Sequence, residues 1–149
     1  MAFLRKNGHW ILSLFVAFVF IQSLFFKSTG SPETVYSFQG KLDPWAASLG
    51  FPGVFAPGGI FSAKVVGTAE LIASLLVLSG AFLAGNRMIQ VLGAALGLGV
   101  ISGAIFFHLF TPLGIAVVNT DGSSDGGELF ILACGVWFFG CWIGAAAVE

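Results

Sequence analysis

Charge is scarce in this chain of 149 residues: 9% of it is Asp, Glu, Lys or Arg, against about 25% in an ordinary soluble domain. Six basic and seven acidic side chains leave a net charge of −1, so there is no basic surface for a nucleic-acid partner. Cysteine is limited to Cys134 and Cys141. Seven residues apart on one helix, they are separated by a rise of about 10 Å. That exceeds the roughly 7 Å Cα separation a disulfide spans, and no Cys-x-x-Cys is present, so the pair reads as small packing residues rather than a thiol relay. One tyrosine, Tyr36, stands against 17 phenylalanines, an imbalance that suits packing in lipid. Histidine is limited to His9 and His108. The spans described next put these at opposite membrane faces, which excludes them as the two axial ligands of one haem. The stretch from Asp121 to Gly126 resembles the start of a calcium loop, but its twelfth position is Leu132, so an EF-hand is rejected and no metal is expected. The Gly93–Gly99 glycines fall inside an apolar run and form no nucleotide loop. There is no internal repeat and no nucleophile–base pair, so no catalytic residue is assigned.

What the chain does have is long apolar runs: 57% of it is hydrophobic. Runs of about 20 apolar residues cross a hydrocarbon core of about 30 Å. The sequence therefore predicts an all-α integral membrane four-helix bundle in a single domain covering 1–149, with spans of about 10–27, 62–84, 88–110 and 128–148. The first run is long, Phe-rich and followed by Lys27, without an Ala-x-Ala site, which reads as an uncleaved helix rather than a signal peptide. Gly85-Asn86-Arg87 predicts a tight turn and antiparallel second and third helices. Gly30 and Pro32 end the first helix. Ser31-Pro32-Glu33 and Asp43-Pro44-Trp45 each read as a helix start. They predict two short interfacial helices in the first outer loop, with Tyr36 and Trp45 in the headgroup belt. Asp125 and Glu128 read as a capping box opening the fourth helix, as a structural cap or as the rim of a site. Gly93-x-x-x-Gly97, Gly99-x-x-x-Gly103 and Gly140-x-x-x-Gly144 allow close backbone approach, either inside the bundle or between protomers of a homo-oligomer. Arg5 and Lys6 precede the first helix, which places both termini in the cytoplasm.

Glu70 is the residue that asks for a partner. It lies inside the second apolar run, where a carboxylate costs at least a few kcal/mol. At about 1.5 Å per residue, Glu70 stands about 21 Å above the inner end of its helix, Lys27 about 25 Å and His108 about 30 Å. Glu128 begins its helix on the same side, and Gln22 and Thr68 lie near that level. Two readings follow. In the first, Lys27, Glu70, His108 and Gln22 line a polar ligand site in the outer half of the bundle. An acid, a cation and an imidazole there suit a quinone carbonyl and its protons. In the second, Lys27 and Glu70 are an ion pair that locks two helices.

Four motifs in order resemble the DoxX-like membrane proteins. They are Phe25-Phe26-Lys27-Ser-Thr-Gly30-Ser-Pro-Glu33-Thr-Val-Tyr-Ser-Phe38, Gly67-Thr-Ala-Glu70-Leu-Ile, Ser102-Gly-Ala-Ile-Phe-Phe-His108-Leu and Asp125-Gly-Gly-Glu128-Leu-Phe. The resemblance implies a compact four-helix bundle in the bacterial inner membrane. Some relatives are named for a small subunit of a thiosulfate:quinone oxidoreductase, and others are linked to redox stress. The leading expectation is thus a quinone-interacting subunit of a membrane redox system, with the lipid bilayer and a redox partner protein as partners. The alternative is a non-catalytic scaffold or assembly partner. A small-solute carrier lacks support, because no broken helix pair or inverted repeat is present.

Overall fold

The computed structural model describes residues 2–82 and 87–148, with the side chains of 8, 10–82 and 87–145. Four long helices make the fold: α1 (Ala2–Thr29), α4 (Ala63–Phe82), α5 (Arg87–Phe110) and α6 (Glu128–Val148). Between α1 and α4 lie the short helices α2 (Pro32–Val35) and α3 (Asp43–Ser48), joined by a π-helical stretch (Tyr36–Leu42). Among the described residues the one extended pairing is an isolated bridge between Val118 and Ser124. Each long helix contains a segment long and apolar enough to cross a membrane. The expected all-helical four-helix architecture is what the chain adopts. The expected turn at Gly85 and Asn86, and the side chains of Arg5, Lys6 and His9, lie outside the described residues.

The helices form a ring in the order α1, α4, α5, α6, and the seam between α6 and α1 is the slightest of the four. Val16, Phe20, Ala73, Val77, Ala94, Ile101, Val136 and Ile143 fill the centre. Phe18, Leu75, Ile131 and Phe138 are equally apolar yet exposed on the outside. Helices apolar all round are those whose outer faces meet lipid. In lipid, the hydrophobic effect does little to bring helices together, so small residues that permit close packing carry the association. Gly93 shows this: a Cβ there would lie 2.6 Å from the Val77 backbone nitrogen. At Gly80 it would lie 2.4 Å from the Gln90 nitrogen, so α4 and α5 touch nearly backbone to backbone. Gly97 sits under the Phe20 ring, and Gly140 against Leu98. Gly99 and Gly103 have nothing within 4 Å of where a Cβ would stand. The three glycine motifs therefore divide, two facing inward and one outward.

The loops follow their turn chemistry with two departures. Gly30, at φ 63°, ends α1, and the Ser31 N–H reaches back to the Phe26 carbonyl at 3.2 Å, the 6→1 bond of a Schellman motif. Ser31 then caps α2, accepting from the Thr34 N–H at 3.3 Å, as expected. The second start signal behaves differently. Helical backbone runs straight through Asp43, whose side chain caps nothing in its own helix. A proline ring clashes with the carbonyl four residues back in a regular α-helix. Here the Asp43 N–H bonds the Phe38 carbonyl, five residues back, and this wider turn relieves the crowding ahead of Pro44. The Asp43 carboxylate is spent elsewhere, accepting the Phe55 N–H at 3.0 Å. Trp45 is half-buried against Phe107 rather than standing free. Leu42, Ala46 and Phe55 from the first loop meet Leu113 and Val117 from the second in a separate apolar cluster. That cluster closes the end of the bundle where α1 and α5 finish and α4 and α6 begin.

Candidate functional site

Lys27 and Glu70 meet at this closed end. Ser23 and Lys27 are four residues apart on α1 and so share one face. On α4, Gly67 lies one turn before Glu70, and a Cβ there would stand 3.0 Å from Leu24 Cδ1 and 3.5 Å from the Lys27 Cβ, so α1 packs closely on α4 at this level. The Lys27 ammonium donates to Glu70 Oε1 at 2.6 Å and to Ser23 Oγ at 2.6 Å. Ser23 Oγ in turn stands 3.5 Å from Glu70 Oε1. The Glu70 side chain is 5% exposed and that of Lys27 14%, so this is a buried ion pair between helices. An ammonium has three donors, and the third on Lys27 has no partner among the described residues. Glu70 Oε2 is buried and likewise has no partner among them. The cluster thus holds one uncommitted donor beside one uncommitted acceptor.

The other expected site residues lie apart from it. His108 is buried on α5, and its Nδ1 is 2.7 Å from the Gly114 carbonyl. A carbonyl only accepts, so Nδ1 carries a proton and donates it to Gly114. The imidazole also packs edge-on against Phe130 of α6, with ring centroids 5.8 Å apart. Its contacts are thus to the second loop and α6, not to the ion pair. Gln22 is exposed and makes no hydrogen bond among the described residues; its neighbour Ser23 is the one turned into the cluster. The i, i+4 spacing of Ser23 and Lys27 was the sequence signal for this.

Asp125 works as a staple. Oδ1 accepts the Val117 N–H at 2.7 Å and the Gly127 N–H at 3.0 Å, and Oδ2 accepts the Leu129 N–H at 3.3 Å. The reciprocal half of a capping box would need the Asp125 N–H, which instead bonds the Val117 carbonyl at 3.1 Å. Glu128 is the exposed first residue of α6, favourable there through the helix dipole. Nearby, the Ser123 hydroxyl and N–H hold the Asp121 carboxyl below the usual carboxylate range. Among the described residues no three His, Cys, Asp or Glu side chains gather as metal ligands would.

A second buried polar contact escaped the sequence reading, which followed ionisable groups. Gln90 Nε2 donates to Ser13 Oγ at 3.2 Å, joining α5 to α1 toward the other end of the bundle. The signal was present: Gln90 precedes Gly93 by three residues, on the same inward face. Between these two polar layers the helices enclose an apolar space of about 10 Å³, bordered by Val16, Val77, Gly97, Val136 and Ile143. Comparison with protein-family models, curated proteins and solved structures gave no match.

Proposed function

We propose that this chain is a DoxX-like protein of the bacterial inner membrane, with both termini in the cytoplasm. In this reading it binds the head of a quinone at the Lys27–Glu70 cluster as a subunit of a membrane redox system. The observation that supports this is the free donor beside the buried free acceptor. A quinone carbonyl only accepts, and the third Lys27 N–H is a donor for it. A quinol hydroxyl also donates, and Glu70 Oε2 is the acceptor for it. One cluster therefore serves both oxidation states, with the electrons passing to a redox partner protein. His108, held by Gly114, positions the second loop over this end and is not a ligand in this reading.

The test is extraction of lipids from protein purified out of native membrane. Quinone co-purifies with the wild type, is lost in Lys27→Met and Glu70→Gln, and is retained in Gln22→Ala. Absence from the wild type, or equal amounts in all four proteins, refutes the reading. The second reading, a scaffold or assembly partner, draws on the outward Gly99 and Gly103, which leave room for another helix. A partner or second copy that stays bound in Glu70→Gln but is lost in Gly99→Leu supports it.

A further inference from the structure

We propose that the non-helical segment from Leu49 to Ser62 is inserted among phospholipids, at the boundary between headgroups and acyl chains, on the flank of α4. The inference is independent of any quinone.

The first observation is chemical. No charged residue occurs from Pro44 to Ala63, and the side chains that carry hydrogen-bonding groups there are Trp45, Ser48 and Ser62. Loops that face water are not built this way. The second loop of the same chain, packed against it, carries Asn119, Thr120, Asp121, Ser123, Ser124 and Asp125.

The second observation is what the segment exposes. Phe55 points inward to the apolar cluster. Leu49, Phe51, Ile60 and Phe61 point outward, Phe51 with 65% and Ile60 with 70% of its surface uncovered. The segment leads directly into the α4 span, where Val65 and Ile72 are exposed in turn, with the exposed Lys64 and Thr68 among them. Apolar side chains that adjoin a lipid-facing helix share its lipid. Val65, Thr68, Ala69 and Ile72 border a shallow depression in the α4 surface next to Lys64. Lys64 is exposed and has no ion pair among the described residues, so its charge complements a lipid phosphate.

The third observation sets the depth. Lipid tails offer no hydrogen bonds, so an irregular backbone near them has to supply its own. Leu49, Gly50 and Phe51 donate back to the Ala46 and Ala47 carbonyls that end α3. Phe55 donates to Asp43, Gly59 to the Ala56 carbonyl, Phe61 to the Val54 carbonyl and Ser62 to the Gly59 carbonyl. Pro52 and Pro57 have no N–H to satisfy. The N–H groups of Gly53, Val54, Ala56, Gly58 and Ile60 have no internal partner among the described residues. They need headgroup oxygens or water, which places the segment at the boundary and not in the middle of the bilayer.

The experiment is site-directed spin labelling of the full chain in phospholipid vesicles, in a Cys134→Ala/Cys141→Ala background. Labels go at Phe51→Cys and Ile60→Cys, with Thr120→Cys and Ser124→Cys as controls in the second loop. Molecular oxygen concentrates in lipid and a nickel chelate in water. We expect oxygen to dominate relaxation at Phe51→Cys and Ile60→Cys, and nickel to dominate at both controls. Nickel dominance at the first pair places the segment in water and overturns the proposal. Shielding of that pair from both reagents overturns it too, in favour of a protein covering the segment. All four replaced side chains are exposed, and unchanged helicity and elution in detergent establish that each variant is folded.

Discussion

Removing Lys27 without removing Glu70 is the most informative perturbation of this protein. The ammonium is 2.6 Å from Glu70 Oε1, and the carboxylate is nearly inaccessible. Breaking a buried pair from one side typically costs about 3–5 kcal/mol, because the remaining charge stays buried and uncompensated. The carboxyl has an escape, which is to take up a proton. Neutralising a carboxyl of ordinary acidity costs about 3.7 kcal/mol at pH 7 and about 1 kcal/mol at pH 5. That sets a ceiling on the charge penalty and makes it depend on pH. Folded Lys27→Met then holds one proton more than its unfolded chain, so its stability falls as pH rises. We expect Lys27→Met to lose about 3 kcal/mol at pH 7 and about 1 kcal/mol at pH 5. Glu70→Leu alone strands the ammonium, but Lys27 is less deeply buried and loses less. The double variant Lys27→Met/Glu70→Leu buries no charge and stays within about 1 kcal/mol of the wild type. The assay is reversible unfolding in mixed micelles at both pH values, followed by helicity. A Lys27→Met penalty that is the same at pH 5 and pH 7, or a double variant as unstable as the worse single one, refutes this account of the pair.

Two further outcomes follow from the packing and the loops. Gly93→Ala puts a methyl 2.6 Å from the Val77 backbone, which cannot swing aside as a side chain would, so α4 and α5 must separate at a cost of about 1–3 kcal/mol. Gly103→Ala meets nothing and is neutral or stabilising by up to about 1 kcal/mol, and thermal unfolding of the two variants side by side checks the contrast. Asp125→Ala removes the acceptor of three backbone N–H groups, one of them on buried Val117. It should cost about 1–3 kcal/mol and speed protease cleavage within 113–127 while sparing the first loop.

The four helices were legible in the sequence because spanning a membrane leaves a coarse signal: about 20 apolar residues with breakers at each end. The Lys27–Glu70 contact was legible for a related reason, since one carboxylate in an apolar run demands a cation at its own depth. What depth cannot supply is azimuth. Each residue turns an α-helix by about 100°, so a glycine six positions further along faces about 240° away. Gly93 packs on α4 and Gly99 on nothing, although the two motifs read alike. His108 stands at the level of the ion pair by rise, but α5 lies diagonally across the ring from α1, and its imidazole is taken by Gly114 and Phe130. The loops were harder still. Asp43 and Asp125 carry the chemistry of helix caps, and sequence spacing places their acceptors next to their own helices. Asp43 instead accepts the Phe55 N–H, and Asp125 accepts that of Val117 besides those of Gly127 and Leu129; such distant pairings leave no periodic trace.

Those two aspartates explain how one end of the bundle is finished. Phe55 and Val117 both belong to the apolar cluster that closes this end, and the backbone N–H of each is the group that an aspartate holds. Burying those two residues without the carboxylates would strand two donors, at a cost comparable to the apolar gain. The acids therefore let an apolar plug form from irregular chain. The plug stands at the Lys27–Glu70 end. Shielding Lys27 and Glu70 from water strengthens their attraction, and it leaves Glu70 Oε2 buried without a partner among the described residues.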